Sequence, residues 1–355
     1  MTLSMLAIWA SAAAADPPAN PRTHYAVTLD AVVAESSTAA VAEVRNGDKV
    51  WQGSSGTATV GGGPRPPVDG SFRAGSITKS FTASVVLQLV GEGKLDLSDS
   101  IGHRLPGLLG DGDTITIRQL LQHTSGLPEY TTDMVDDAGI PLERYRTWSP
   151  RELVEKVARL PLEFRPGSRY KYSNTNYIVL GMLIEKVTGR SYATEVEERI
   201  VRPLGLVHTW LPGASSDVTG AYAHGYAAVR KSGGLTHVDV TRFNPTIAGA
   251  AGEIISTAGD LNRFYRALLG GKVLRPAQLE EMKVPGPSGN YGLGLEVTHL
   301  PCGGVAYGHT GETPGYVTAS YISADGTRQV TLSTTPFSGD SDSAVRTLLR
   351  SALCA

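Results

Sequence analysis

Hydrophobic and polar residues follow three patterns along this chain, and their order predicts its architecture. Val41–Trp51 holds two short alternating runs on either side of Asn46-Gly47. That dipeptide suits the two-residue turns that match strand twist, so a hairpin is predicted. Gly53–Gly70 is dense in Gly, Pro and Ser and is predicted as a loop. From Ile77 the period changes: Phe81, Val85, Val86 and Leu89 recur at helical spacing until Gly91 and Gly93 stop the run.

Three more helices are predicted in the middle. They are Thr116–His123, a helix opening at Ser149-Pro150 with Ser149 as its cap, and Asn176–Thr188 ended by Gly189. Thr257–Leu269 is a further helix. Strand-like runs return at Tyr291–Leu295, Gly304–His309, Gly315–Ile322 and Gln329–Ser333, with Asp325-Gly326 as a hairpin turn. Ser341–Cys354 closes as a helix. Strands at both ends with helices between them predict an α/β (α+β) fold. One antiparallel sheet is built from the first and last parts, a helical lobe is inserted, and a cleft lies between. The corresponding divisions are residues 21–85 plus 255–355 for the sheet unit and 86–254 for the insertion.

Composition narrows the function. The chain has 355 residues, 41% of them hydrophobic, which is more than one core usually absorbs and suits two lobes. A net charge of −2 without a basic block excludes an electrostatic footprint for nucleic acid or an anionic membrane. Leu3–Trp9 is mostly apolar and Ala12–Ala15 are small, so residues 1–20 read as a secretory signal, although no Lys or Arg precedes the apolar run. A disordered Ala-rich tail is the other reading. No later stretch approaches the ~20 apolar residues that span a bilayer. The two cysteines, Cys302 and Cys354, suit one disulfide in an exported chain, or two buried thiols. A secreted monomer is expected.

Three segments carry candidate chemistry. Ser76-Ile-Thr-Lys79 sits at a helix start, so the hydroxyl and the amine share a face. A serine needs a base, and a desolvated lysine can lose its proton near pH 7. The helix N-terminus adds N–H groups for a developing oxyanion. Taken alone, the pattern equally fits a capping serine and a surface lysine. In Tyr172-Ser-Asn174, a phenol can relay a proton and an amide can bind a carbonyl or the lysine; a loop tyrosine and a helix-capping asparagine are the plainer reading. In His309-Thr-Gly311, the glycine admits close approach of a substrate backbone and the strand edge offers N–H groups; an ordinary strand end is the alternative. The histidines show no metal-ligand spacing, and no Gly-x-Ser-x-Gly elbow occurs. No metal or cofactor is expected. Tyr316 and Tyr321 read as strand packing, and His123 as structural.

Together, in this order, the three segments match the logic of penicillin-recognising serine hydrolases. The runs Ala74–Thr82, Leu87–Leu97, Tyr172–Tyr177, Gly181–Lys186, Tyr291–Leu295 and Tyr307–Gly311 resemble the Streptomyces-type secreted D-alanyl-D-alanine carboxypeptidases. Class C β-lactamases, esterases and D-aminopeptidases belong to the same family. The resemblance covers Tyr25 to Cys354. It implies the β-lactamase/transpeptidase-like fold, a Cys302–Cys354 disulfide, and acylation of Ser76. Lys79 and Tyr172 then handle protons, Asn174 helps hold substrate, and His309 and Thr310 line the cleft. The N–H groups of Ser76 and Glu312 form the oxyanion hole. The implied activity is that of a D-Ala-D-Ala carboxypeptidase or D-stereospecific peptidase on cell-wall peptides, acylated also by β-lactams. Esterase, amidase, D-aminopeptidase and β-lactamase activities share the machinery, and a penicillin-binding domain with negligible turnover is the non-enzymatic alternative.

Two positions depart from the carboxypeptidase pattern. An arginine that grips the substrate carboxylate there is Glu296 here, and a threonine after His-Thr-Gly is Glu312. Like charges ~4 Å apart repel by about 1 kcal/mol in water and more in a dry cleft. Either Arg328 or Arg242 compensates, or the substrate is neutral or cationic at that end. Strand alternation allows a third arrangement, with Glu296 turned to solvent.

Overall fold

The structure is a computed structural model that describes residues 21–231, 234–336 and 342–354. The proposed signal segment lies outside the described residues. Helix α1 (Pro21–Ser36) precedes the hairpin β1 (Ser37–Asn46) and β2 (Lys49–Gly56). A short β3 (Phe72–Arg73) enters a 3₁₀ turn at Gly75–Ile77 and then α2 (Thr78–Gly91). The middle holds α3 (Ile101–Arg104), α4 (Ile117–Leu121), α5 (Pro150–Glu155), α6 (Thr175–Thr188), α7 (Tyr192–Val196) and α8 (Arg202–Leu204). It also holds a hairpin that the pattern did not predict, β4 (Tyr226–Lys231) with β5 (Gly234–Asp239). The last third runs β6 (Ile255–Ser256), α9 (Ala258–Leu269), α10 (Pro276–Lys283), β7 (Glu296–His299), β8 (Val305–Thr313), β9 (Tyr316–Ser323), β10 (Arg328–Pro336) and α11 (Asp342–Cys354).

Six strands form the main sheet in the order β2-β1-β10-β9-β8-β7, and every pair is antiparallel. The first and last parts of the chain therefore do join in one sheet. Alternation along β1 sorts its two faces. Ala40, Ala42 and Val44 pack with Tyr25, Leu29 and Val32 of α1 and with Leu348 and Leu349 of α11. On the other face Glu43 is buried against α9, where Asn262 Nδ2 donates to it at 2.9 Å. Tyr25, Leu29 and Val32 recur at four and three residues, the helical spacing that turns one face of α1 to the sheet.

Helix α2 is buried almost all round, from Thr78 to Leu87 and again at Leu89. Such a helix runs through the centre of a core rather than over its surface. Its N-terminal turn meets β8 and β9, while its body meets α6, α7 and α10. Local signals set the ends of its neighbours. Ser149 and Glu152 form a reciprocal capping box on α5, and Gly189 ends α6 with φ 71°.

One strand expectation is corrected. Tyr291–Leu295 forms a turn, and the strand begins at Glu296. Gly294 has φ 72°, and a Cβ there would lie 2.4 Å from that of Ala83 on α2. Gly294 brings the turn against α2, and Gly292 brings it against the Met282 carbonyl of α10, instead of extending the sheet. The predicted loop also starts later, because β2 continues to Gly56. A disulfide joins Cys302 to Cys354, tying the end of α11 to the β7–β8 connection. No helix among the described residues is long and apolar enough to cross a membrane.

Candidate active site

Ser76 sits in the 3₁₀ turn that feeds α2, three residues before Lys79. Lys79 Nζ donates to Ser76 Oγ at 2.9 Å, to Asn174 Oδ1 at 2.8 Å and to the Ala251 carbonyl at 2.7 Å. Three protons of an ammonium thus meet three acceptors. The lysine is fully buried. Burial pushes its pKa down to about 7, although the Glu129 and Glu296 carboxylates pull the other way. The surface-lysine reading is therefore excluded, and this amine can exchange a proton with Ser76 near neutral pH.

Tyr172 donates its hydroxyl to the same Ser76 Oγ at 2.8 Å. Desolvation raises its pKa well above the ordinary value, so the phenol keeps its proton. It is placed to give or relay a proton, while Lys79 is the group able to accept one. Asn174 stands at the N-cap of α6 but makes no side-chain cap bond. Its amide is used instead between two charges: Oδ1 faces Lys79, and Nδ2 donates to Glu129 Oε2 at 3.1 Å. Glu129 Oε2 also accepts from the Asn174 backbone N–H at 2.7 Å. The carboxylate thereby sets which end of the amide faces the lysine.

Strand β8 supplies the opposite wall. At Gly311 a Cβ would fall 1.9 Å from the Ala74 carbonyl oxygen and 3.1 Å from Ser76 N. The close approach this glycine permits is to the Ser76 turn, which corrects the expectation that it admits substrate backbone. Gly75, with φ 55°, has the matching requirement: a Cβ there would lie 2.7 Å from Glu312 N. Two glycines thus press the Glu312 backbone against the Ser76 turn. Beyond Gly308, which pairs with Glu296, β8 has no further β7 partner among the described residues, and this edge faces the Ser76 turn instead.

The remaining predicted residues divide. Thr310 is half-buried, whereas the His309 ring is 1% exposed and packs against Tyr291, with Nε2 2.9 Å from the Tyr291 hydroxyl. His309 shares its face of β8 with Gly311, toward the Ser76 turn, but is buried beneath Tyr291. Glu312 is exposed on the same face of β8 as Thr310. Glu296 does not turn to solvent. It accepts from Thr310 N at 3.2 Å, from Thr310 Oγ1 at 2.8 Å, and from the Tyr321 hydroxyl. Tyr321, read as packing, is thus also an anchor for this carboxylate. Neither proposed cation compensates. Arg242 is exposed and paired with Asp217 at 3.0 Å. Gly311 aligns through Thr318 with Ser333 on β10. Arg328 lies five residues further along that strand, about 17 Å away at ordinary strand rise.

The profile of the Beta-lactamase family matches residues 29–353. The chain belongs to this beta-lactamase family. A D-stereospecific amidohydrolase from Streptomyces sp. superposes with a TM-score of 0.83 at 38% identity, over 91% of this chain and 97% of that one. A D-amino acid amidase from Ochrobactrum anthropi SV3 superposes with a TM-score of 0.81 at 27% identity, over 94% and 98%. A Bacillus subtilis chain named for penicillin binding, PbpX, is 30% identical over 72% of this chain. The match spans about 60% of that relative's length.

Within this beta-lactamase-family fold, the structure brings Ser76, Lys79, Tyr172 and Asn174 together as the sequence suggested. Glu129 and the Ala251 carbonyl were missed. Glu129 follows Gln122-His-Thr-Ser-Gly126 by three residues, so the signal lay beside a run already noted. A backbone carbonyl such as that of Ala251 carries no residue-type signal at all. Glu129→Ala is expected to free the Asn174 amide and lower kcat by about 10- to 100-fold. Glu129→Gln keeps one acceptor oxygen and should lose less. Steady-state kinetics on a single ester substrate checks this order, and equal activity in both variants would refute it.

Proposed function

We propose that this chain is an exported D-stereospecific amidohydrolase that cleaves short D-aminoacyl amides or peptides through an acyl-enzyme at Ser76. Neutral Lys79 takes the Ser76 proton as Oγ attacks the carbonyl carbon. The N–H groups of Ser76 and Glu312 receive the oxyanion. Tyr172 passes a proton to the departing nitrogen, the C–N bond breaks, and water repeats the sequence to release the acid. The cleft lies between the sheet unit (21–85 and 255–355) and the inserted segment (86–254). The Cys302–Cys354 disulfide supports an oxidising compartment.

One observation carries the substrate side of this reading. Where a carboxylate-gripping arginine is expected, Glu296 is held in place by Tyr321 and Thr310. Glu312 adds a second carboxylate on the same wall. This end of the cleft suits an ammonium or a neutral amide better than a free carboxylate. The Streptomyces amidohydrolase and the Ochrobactrum amidase are consistent with that preference.

The test is a substrate panel: a D-amino-acid amide, its L-enantiomer, its N-acetylated form, an acid-terminated D-Ala-D-Ala peptide and a nitrophenyl ester. Both D-amides are expected to exceed the acid-terminated peptide in kcat/KM by about tenfold, equivalent to ~1.4 kcal/mol. If that peptide ranks first, the carboxypeptidase reading replaces this one. Stable acylation by penicillin without turnover of any substrate would point to a binding domain.

A further inference from the structure

His123 is the one non-glycine among the described residues with a positive φ, 56°. It ends α4, where Thr124 N donates back to the Gln119 carbonyl at 2.8 Å. Glycine or asparagine takes this left-handed conformation at a helix end with little steric cost, whereas histidine carries a Cβ into it. The backbone alone therefore gives no reason for an imidazole here. Strain of this kind directs attention to what the side chain does.

The ring and backbone of His123 hold three consecutive residues. Its carbonyl accepts from Lys171 N at 2.9 Å. Its Nδ1 accepts from Ser173 N at 3.2 Å and faces Asn176 Nδ2 at 3.0 Å. Between those two ties, its ring stacks on the Tyr172 ring, with centroids 4.1 Å apart and planes 28° apart. Two donors at Nδ1 place the ring proton on Nε2 in a neutral imidazole. Burial favours the same form, pushing the pKa well below the ordinary value, with Lys79 and His309 adding to it. The ring is thus an uncharged, fixed plate beside the phenol that donates to Ser76.

We infer that His123 is a positioning residue for Tyr172, its stacked ring setting the phenol hydroxyl at Ser76. The inference rests on the proton role proposed above for Tyr172. An amine leaves only once protonated, whereas nitrophenolate leaves without a proton. Misplacing the phenol must then harm amide cleavage more than ester cleavage, a selectivity that general loosening of the fold does not produce.

The test uses a D-amino-acid amide and the nitrophenyl ester of the same acid. Four proteins are compared: the parent, His123→Gly, His123→Asn and Tyr172→Phe. Gly and Asn both satisfy the backbone, and Asn retains a hydrogen-bond acceptor, but neither has a ring. Both are expected to lose about 10- to 100-fold in kcat on the amide, with KM nearly unchanged and the ester loss about threefold or less. Thermal unfolding should show both folded at the assay temperature. Equal losses on the two substrates, or an unchanged amide kcat in either variant, overturn the inference. Restored activity in Asn but not in Gly assigns the effect to the acceptor and also overturns it. Tyr172→Phe separates the two levels: if it lacks the amide-selective loss, the proton role of Tyr172 itself is wrong.

Discussion

Lys79→Met is expected to lower kcat by about a thousand- to ten-thousand-fold. Among the described residues hydrogen-bonded to Ser76 Oγ, the amine is the one that can accept a proton near neutrality, because Tyr172 there is held protonated by burial. Methionine approximates the stem and removes the base. In the parent, activity should rise with pH through about 7 as the buried amine loses its proton, then level off. The same titration affects stability. In the unfolded chain the amine titrates near its ordinary 10.5, and in the fold near 7. Between those values the unfolded chain binds a proton that the folded one does not, so stability rises with pH across that window. Below about pH 7 both states carry the proton and the cost of burying it is complete. Lys79→Met should flatten the unfolding midpoint between pH 7 and 10.5. A pH–rate profile and thermal melts measure both effects. An unshifted profile with residual activity near the parent's would mean another base serves Ser76.

Gly311→Ala is expected to cost about 1–3 kcal/mol of stability and about 100-fold in kcat. Its methyl would meet the Ala74 carbonyl oxygen at 1.9 Å, well inside an ordinary contact of about 3.3 Å. The obstacle is backbone, which cannot swing aside as a side-chain end can. Either β8 or the 3₁₀ turn must therefore shift by more than 1 Å. Both carry parts of the proposed oxyanion hole, so the shift separates Glu312 N from Ser76 N. Melts combined with the acylation burst on a nitrophenyl ester, taken well below the unfolding midpoint, separate instability from lost geometry. A folded Gly311→Ala protein with a parental burst rate would show that this close approach is unnecessary.

The legible features share a short range. Ser76 and Lys79 lie one helical turn apart, so their shared face follows from helix geometry alone. Ser149 with Glu152, and Gly189, likewise encode their structure within a few residues; the hairpin turn falls one residue later than Asn46-Gly47, at Gly47-Asp48, because Asn46 pairs with Lys49 and Gly47 takes the positive φ. The Tyr172 triplet and the His309 strand became informative through their order and through the family resemblance, not through any contact visible in sequence. The one overturned strand, Tyr291–Leu295, has strand-like residues. Its Gly294 answers to Ala83 of α2, an element some 200 positions earlier.

The chain by itself thus singled out Ser76, Lys79 and Tyr172 as the candidate machinery, and predicted the antiparallel sheet drawn from both ends. It also placed Glu296 where the carboxypeptidase resemblance implies an arginine. Only the tertiary structure decided what those groups experience. It buried Lys79 against Asn174 and Ala251, fixed the Asn174 amide with Glu129, and packed the His309 ring against Tyr291. It also tied Glu296 to Thr310 and Tyr321. The physical reason is distance along the chain. Caps and helical faces are set by hydrogen bonds a few residues long, whereas a lowered amine pKa and a fixed carboxylate depend on desolvation and partners supplied by remote segments.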